Sequence, residues 1–172
     1  MAAPAATSRI FLALWPGPRT RAATIAWQDA HRWPAEARVT APSKLHMTLH
    51  FLGAVPAGSV PSVAAGLAVP FRHFAFELDH VEIWPRGVVV LSPSRPGDEL
   101  LALHACLADA LLALRLPLEP REFRPHVTLA RRASGAASAG PAPPPVEWGV
   151  EGYVLAVSEN GNYRVLRQYG SR

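Results

Sequence analysis

Cysteine and lysine are almost missing from this chain: each occurs once in 172 residues, as Cys106 and Lys44. A single cysteine excludes intramolecular disulfides and points to a reducing compartment. At this length a fold buries roughly 70% of the unfolded chain's surface, so no disulfide or metal staple is needed. Set among Leu100, Leu101, Leu103, Leu107 and Leu111, Cys106 reads as a buried helix residue. Long apolar runs are missing too. Those at 88–91 and 111–114 fall far short of the ~20 residues that a membrane helix requires. The apolar stretch at 10–15 is too short for a secretory core and stops at Pro16-Gly17, so the expectation is a cytoplasmic protein with no membrane segment. Nor are aromatics interleaved regularly with basic residues, which argues against a dedicated platform for single-stranded nucleic acid.

With one lysine among 17 basic residues, the formal charge of +4 and the pI near 10.0 rest on arginine. A guanidinium donates two parallel hydrogen bonds to a phosphate, so this balance fits an anionic partner; codon bias toward Ala, Pro and Arg produces the same composition. Charge alone leaves both open.

Periodicity alternates strands with helices. A strand at 9–15 leads through Pro16-Gly17-Pro18 to a helix at 19–32, whose apolar positions are Ala22, Ala23, Ile25, Ala26 and Ala30. A strand at 45–52 stops at Gly53, and 56–69 forms a weaker helix. Segments 74–84 and 88–91 read as a hairpin about Pro85-Arg86-Gly87. The clearest helix is 98–114, with Leu100, Leu103, Leu107, Leu111 and Leu114 on one face. A further strand runs from Pro125 to near Arg132, and a final hairpin joins 148–157 to 163–169 across Glu159-Asn160-Gly161-Asn162. The mixture lacks the strict alternation of a doubly wound parallel sheet, which favours α+β. We expect a flexible N-terminus at 1–8, one domain at 9–169 with a mobile Ala/Gly/Ser/Pro-rich loop at 133–145, and a tail at 170–172.

What is present twice is a tetrapeptide, His46-Met47-Thr48-Leu49 and His126-Val127-Thr128-Leu129. With seven histidines in the chain, chance supplies only about a quarter of one His-x-Thr. On a strand, residues two apart share a face at roughly 6.5–7 Å, so each His and its Thr reach one ligand while the following Leu enters a core. If the two strands lie side by side, two imidazoles flank one substrate. Near a pKa of about 6.5, one ring can take a proton from water while the other protonates a leaving oxygen, which suits metal-free hydrolysis of a phosphodiester. Thr48 and Thr128 then donate to phosphoryl oxygens, with an arginine offsetting the growing charge. Strict alternation puts Arg132 rather than Arg131 on the His126 face, unless a bulge or strand end changes the parity. Spacing does not choose between them.

These segments resemble a known family. Arg9-Ile10-Phe11-Leu12-Ala13-Leu14, the run from Leu45 through His46, Thr48 and Leu52 to Gly53, and the run from Phe123 through His126 and Thr128 to Arg131 are similar to the two-histidine phosphoesterases. The likeness is specifically to the bacterial and archaeal RNA 2′,3′-cyclic phosphodiesterases once called 2′-5′ RNA ligases. Leu155, Ser158, Gly161 and Tyr163 match the closing pattern. The resemblance implies a bilobal α+β fold of two pseudo-symmetric antiparallel-sheet lobes with outer helices around a central cleft. It implies an enzyme that acts without a cofactor on RNA ends carrying a 2′,3′-cyclic phosphate, opening it to a 2′-phosphate, with reversible 2′-5′ RNA ligation as a possible further activity. By that likeness His46 is the general acid, His126 the general base, and Thr48, Thr128 and Arg131 hold the phosphate. Phe11 is a possible nucleotide contact by base stacking, although an apolar residue in a first strand is more often core.

Competing readings are a non-catalytic module binding nucleotide phosphates in the same groove, and a related two-histidine enzyme for 2′-5′ oligonucleotides or small cyclic nucleotide phosphates. The i, i+4 spacing of His46 and His50 suits zinc on a helix, but the acidic residue of H-E-x-x-H is missing and the segment reads as strand, so no metal is expected. His31, His73, His80 and His104 read as solvated or capping residues, and Ser158 has no G-x-S-x-G frame.

Overall fold

Fifteen helices and strands make up the computed structural model, which describes residues 6–170. In chain order they are β1 (Thr7–Leu14), α1 (Pro18–Asp29), β2 (His31–Arg32), β3 (Arg38–Val39), β4 (Met47–Pro56), α2 (Val60–Gly66), β5 (Phe74–Leu78), β6 (His80–Trp84), β7 (Val88–Ser92), α3 (Asp98–Ala113), β8 (Val127–Arg131), β9 (Ala137–Ser138), β10 (Val146–Val150), β11 (Tyr153–Glu159) and β12 (Asn162–Tyr169). Short 3-10 turns precede β4, α2 and β7.

Two four-stranded sheets dominate, ordered β12-β11-β1-β4 and β3-β8-β7-β6, with β10-β5 and β2-β9 as two-stranded pairs. Every pairing is antiparallel, as the α+β reading required. Each large sheet carries one His-x-Thr strand, β4 in the first and β8 in the second. The first sheet closes the chain on itself, because β1 lies between β4 and β11, the first strand of the C-terminal hairpin.

Alternation explains the double burial of β1. Ile10, Leu12 and Leu14 enter the main core, while Phe11 and Ala13 join Val154 and Ala156 on the opposite face, covered by Trp15 and Phe51. The main core also receives Leu100, Leu103, Leu107 and Leu111 from α3, which packs on β4. Burial of each leucine contributes about 1.5–3 kcal/mol. Asp98 and Glu99 in the first turn of α3 complement its dipole. The β11–β12 hairpin turns at Asn160 and Gly161, with φ of 51° and 76°, the two left-handed positions of a type I′ turn.

Several boundaries differ from the sequence reading. Residues 74–84 divide at Asp79 into β5 and β6, which join different sheets, and 148–157 divides at Glu151-Gly152 into β10 and β11. Gly53, read as a stop, continues β4 with φ of +72° where the register against β1 shifts; glycine accommodates such a bulge without a Cβ penalty. Thr7 and Ser8, placed in the flexible N-terminus, already belong to β1. Residues 1–5 of that segment, and 171–172 of the tail, lie outside the described residues.

Helix α1 buries Thr20, Thr24, Trp27 and Gln28, not the alanine face that periodicity suggested. Alanine is too small to decide a face when an indole competes for it. The polar groups are satisfied: Thr24 Oγ1 donates to Thr20 O at 2.9 Å, and Gln28 Nε2 donates to Thr40 O and Leu129 O, each at 2.9 Å. The loop expected to be mobile is tied down from the same helix. Residues 137–138 pair with β2, Ala139 N donates to Ala30 O at 2.8 Å, and Trp27 Nε1 donates to Pro144 O at 3.0 Å. These are bonds to backbone groups, which leave no side-chain pattern to read.

Candidate active site

Each motif histidine stands one residue before its strand, His46 ahead of β4 and His126 ahead of β8, and their anchors match. Nδ1 of His46 lies 2.7 Å from the Lys44 carbonyl oxygen, and Nδ1 of His126 lies 2.6 Å from that of Arg124. A carbonyl only accepts, so Nδ1 carries the proton in both rings and Nε2 is left for a ligand. His46 Nε2 is also 3.1 Å from Thr48 Oγ1, as residues sharing one strand face should be.

Both histidines, both threonines, Arg131 and Phe11 line one cleft of about 1320 Å³. The sequence pattern is thereby gathered at a single site. Arg132 is not among the lining residues, and the reason is the parity break left open above. The register between β7 and β8 shifts at Val89/Val90, leaving Leu129 and Ala130 both buried in succession. Arg131 therefore shares Thr128's side, and Arg132 leaves the strand with φ of +53°.

The walls around the rings differ. His46 is boxed by three aromatics: Phe11 at 5.2 Å, Trp15 stacked at 5.4 Å and 16°, and Tyr163 edge-on at 5.1 Å. Phe11 is only 3% exposed and packs on His46 and Tyr163, so it builds the wall behind the imidazole, while Tyr163, 36% exposed, is the open aromatic there. Sequence reasoning missed Trp15 and, as a wall residue, Tyr163. The signal for the latter was cross-strand register, since Tyr163 pairs with Ser158 and Ser158 with Arg9, all three lining the cleft. Among the described residues His126 packs on one aromatic ring, Trp84, at 4.5 Å.

Burial lowers the pKa of both rings below the ordinary imidazole value. For His46 the carbonyl of Lys44 opposes this, and the charges of His126 and Arg131 deepen it. For His126 the Arg124 carbonyl opposes it, and Arg131, Arg124 and Arg121 add to it. Each ring therefore feels the same Arg131, as expected of groups around one anion site.

Another pair of histidines lies deeper in the cleft. His50, 6% exposed, places Nε2 2.8 Å from His104 O, and His104 stacks between His50 at 4.0 Å and Phe123 at 3.9 Å. His104 was read as solvated or capping; instead burial, and then the charge of His50, bring its pKa to about 4. His31 does cap, with Nδ1 2.7 Å from Trp27 O at the end of α1, and His80 sits between Asp79 at 3.0 Å and Glu82 at 3.3 Å. Cys106 lies on α3 as expected, half-buried rather than buried.

Two antiparallel lobes, each placing a His-x-Thr strand on a shared cleft, define a two-histidine phosphoesterase. The model of the 2′-5′ RNA ligase superfamily matches residues 18–162, and the chain belongs to that superfamily. It is 31% identical to the RNA 2′,3′-cyclic phosphodiesterase of Thermus thermophilus over 95% of this chain and 90% of that protein. It is 33% identical to the RNA 2′,3′-cyclic phosphodiesterase of Escherichia coli over 77% of each. Among solved structures, E. coli LigT complexed with 3′-AMP has a TM-score of 0.85 at 27% identity, covering 96% of this chain and 98% of that one. TT0787 of Thermus thermophilus has a TM-score of 0.75 at 29% identity, covering 94% and 97%. The family and fold read from the motifs are thus borne out. No helix among the described residues is long and apolar enough to cross a membrane.

Proposed function

We propose that this chain hydrolyses the 2′,3′-cyclic phosphate at RNA ends to a 2′-phosphate. The observation that carries the reading is the matched anchoring of His46 and His126, each holding Nδ1 on a backbone carbonyl while both line one cleft. The names of the Thermus and E. coli relatives support the substrate class, and the LigT complex with 3′-AMP supports a nucleotide as ligand.

In this reading Nε2 of neutral His126 removes a proton from water as its oxygen attacks phosphorus. The bond from phosphorus to the 3′ oxygen breaks, and charged His46 delivers its proton to that oxygen. Products are a 2′-phosphate and a 3′ hydroxyl, and the proton gained by His126 and lost by His46 is exchanged with solvent. Thr48, Thr128 and Arg131 donate to the non-bridging oxygens, where charge grows in the transition state. A bound phosphate anion opposes the depressed pKa of His46, so that ring becomes protonated when substrate arrives. With a 5′ hydroxyl in the place of water as nucleophile, the same groups join ends through a 2′-5′ linkage: His126 takes the hydroxyl proton, the bond from phosphorus to the 3′ oxygen breaks, and His46 protonates that oxygen.

The test is incubation with an oligonucleotide bearing a terminal 2′,3′-cyclic phosphate in the presence of a chelator. Ring opening to the 2′-phosphate alone is expected. Recovery of the intact cyclic phosphate, or a 3′-phosphate product, overturns the reading.

A further inference from the structure

The wall of His126 belongs to a closed ring of contacts outside the His-x-Thr motifs. Glu82 and Trp84 share one face of β6, the outer strand of the second sheet, two residues apart. Glu82 Oε2 accepts from Trp84 Nε1 at 3.0 Å and from Arg124 Nη2 at 2.7 Å. The Arg124 guanidinium lies 4.4 Å from the Trp84 ring centroid, a cation–π contact. Trp84 packs on His126 at 4.5 Å and 58°, and the Arg124 carbonyl receives the His126 Nδ1 proton at 2.6 Å. Glu82, Arg124, His126 and Trp84 therefore close on one another. His80, 3.3 Å from Glu82 Oε1, fixes the carboxylate's other oxygen.

Magnitude decides what this ring is for. Glu82 and Arg124 have side chains 33% and 56% exposed, and such a pair adds at most about 1 kcal/mol to stability. The fold gains little. A single imidazole, however, has its hydrogen-bond acceptor and its packing wall both set by groups that converge on this carboxylate. His46 has no such arrangement, being enclosed by aromatics from its own sheet and its edge.

We infer that Glu82 is a positioning residue: by holding Arg124 and Trp84 together it fixes the ring plane and Nδ1–H tautomer of His126. The inference rests on the proton-transfer role proposed for His126. Charged groups facing that ring are Arg131 on β8, Arg121 and Arg124 in the preceding loop and His46 from the other lobe, with Glu82 behind Trp84. Loss of the carboxylate removes the anion that balances Arg124 and slackens the carbonyl anchor, and both lower the pKa of His126.

The experiment compares wild type, Glu82→Ala, Glu82→Gln and His126→Ala. Nitrogen-15 NMR of the histidine rings reads the tautomers, and kcat and KM for a 2′,3′-cyclic nucleotide are measured across pH. For Glu82→Ala we expect mixed tautomers at His126 with His46 unchanged, kcat lower by about 10-fold to 10²-fold, KM within about 2-fold, and the acid limb of kcat/KM at lower pH. Glu82→Gln, which keeps an oxygen acceptor without the charge, falls between. Retention of the pure Nδ1–H tautomer, or an unchanged kcat, overturns the inference. So does a fall in KM alone, which makes Glu82 a restraint on an arginine that binds substrate. Full activity of His126→Ala overturns the role of His126 instead, and the tautomer result is read independently of it.

Discussion

His46 and His126 sit on different sheets yet are held alike, each Nδ1 donating to the carbonyl two residues earlier, at 2.7 Å and 2.6 Å. The repeat is therefore one of geometry as well as of letters. It fixes which ring nitrogen faces the chemistry, and it makes the two rings interchangeable in form but not in surroundings.

In the proposed reaction each ring makes one proton transfer, and replacing it removes that transfer. His46→Ala and His126→Ala are each expected to lower kcat by about 10² to 10⁴, with circular dichroism unchanged. Because the two act in one step, the double variant loses far less than the product of the single losses. Turnover of a 2′,3′-cyclic nucleotide measures this, and near-normal rates in both single variants would remove the role assignment.

The pH profile carries a sign. Burial and Arg131 hold both free imidazoles below their ordinary value, the charge of His126 adding to this at His46 and those of Arg124 and Arg121 at His126, so both limbs of the kcat/KM bell lie on the acid side of where exposed histidines would put them. Arg131→Gln removes one depressing charge. Its limbs are expected to move to higher pH while KM rises, as NMR titration of both rings and steady-state kinetics will read. Limbs that stay put would separate Arg131 from the histidines.

Thr48 Oγ1 lies 3.1 Å from His46 Nε2 and on the same cleft. A hydrogen bond to a charged group is worth about 1.5–3 kcal/mol, so Thr48→Val is expected to lose about 10-fold to 10²-fold in kcat/KM, with Thr48→Ser recovering most of it. Full activity in Thr48→Val, with the loss confined to Thr48→Ser, would mean the methyl, not the hydroxyl, matters.

Gln28 is a buried polar residue whose amide nitrogen bridges Thr40 O and Leu129 O, tying α1 to the second motif strand. Leu129 O keeps a second donor in Thr40 N, so Gln28→Leu orphans the Thr40 carbonyl alone. The expected cost is about 1–3 kcal/mol in urea unfolding. No change in the midpoint would mean that water replaces the amide.

His104 has a folded pKa of about 4, below its unfolded value near 6.5. The unfolded chain then binds more protons between these limits, so the stability from the neutral stack is present above pH ~6.5 and is lost as pH falls toward 4. His104→Phe keeps a ring between His50 and Phe123 without a proton to gain. Thermal midpoints measured from pH 7 to 4 should fall less steeply in that variant; parallel curves would exclude the stack as the cause.

Much of the site was legible in the amino-acid order. The doubled His-x-Thr, the leucine stripe of α3 and the Pro85-Arg86-Gly87 turn are local patterns, set by strand and helix periods that neighbouring residues alone express. They were enough to name the family, the α+β class and the residues that meet in the cleft. Other features depend on partners far along the chain. Arg131 rather than Arg132 enters the cleft because β8 bulges against β7, a register no local pattern records. Segment 137–144 is pinned because its partners are backbone groups of Ala30 and β2 and the Trp27 indole. Glu82 reaches His126 only through Trp84 and Arg124, 42 residues away from it. Sequence determined which groups line the cleft in matched pairs, since their types and spacing carry the pattern; tertiary structure decided what surrounds them, since hydrogen-bond register and packing between distant strands are settled only when the sheets assemble.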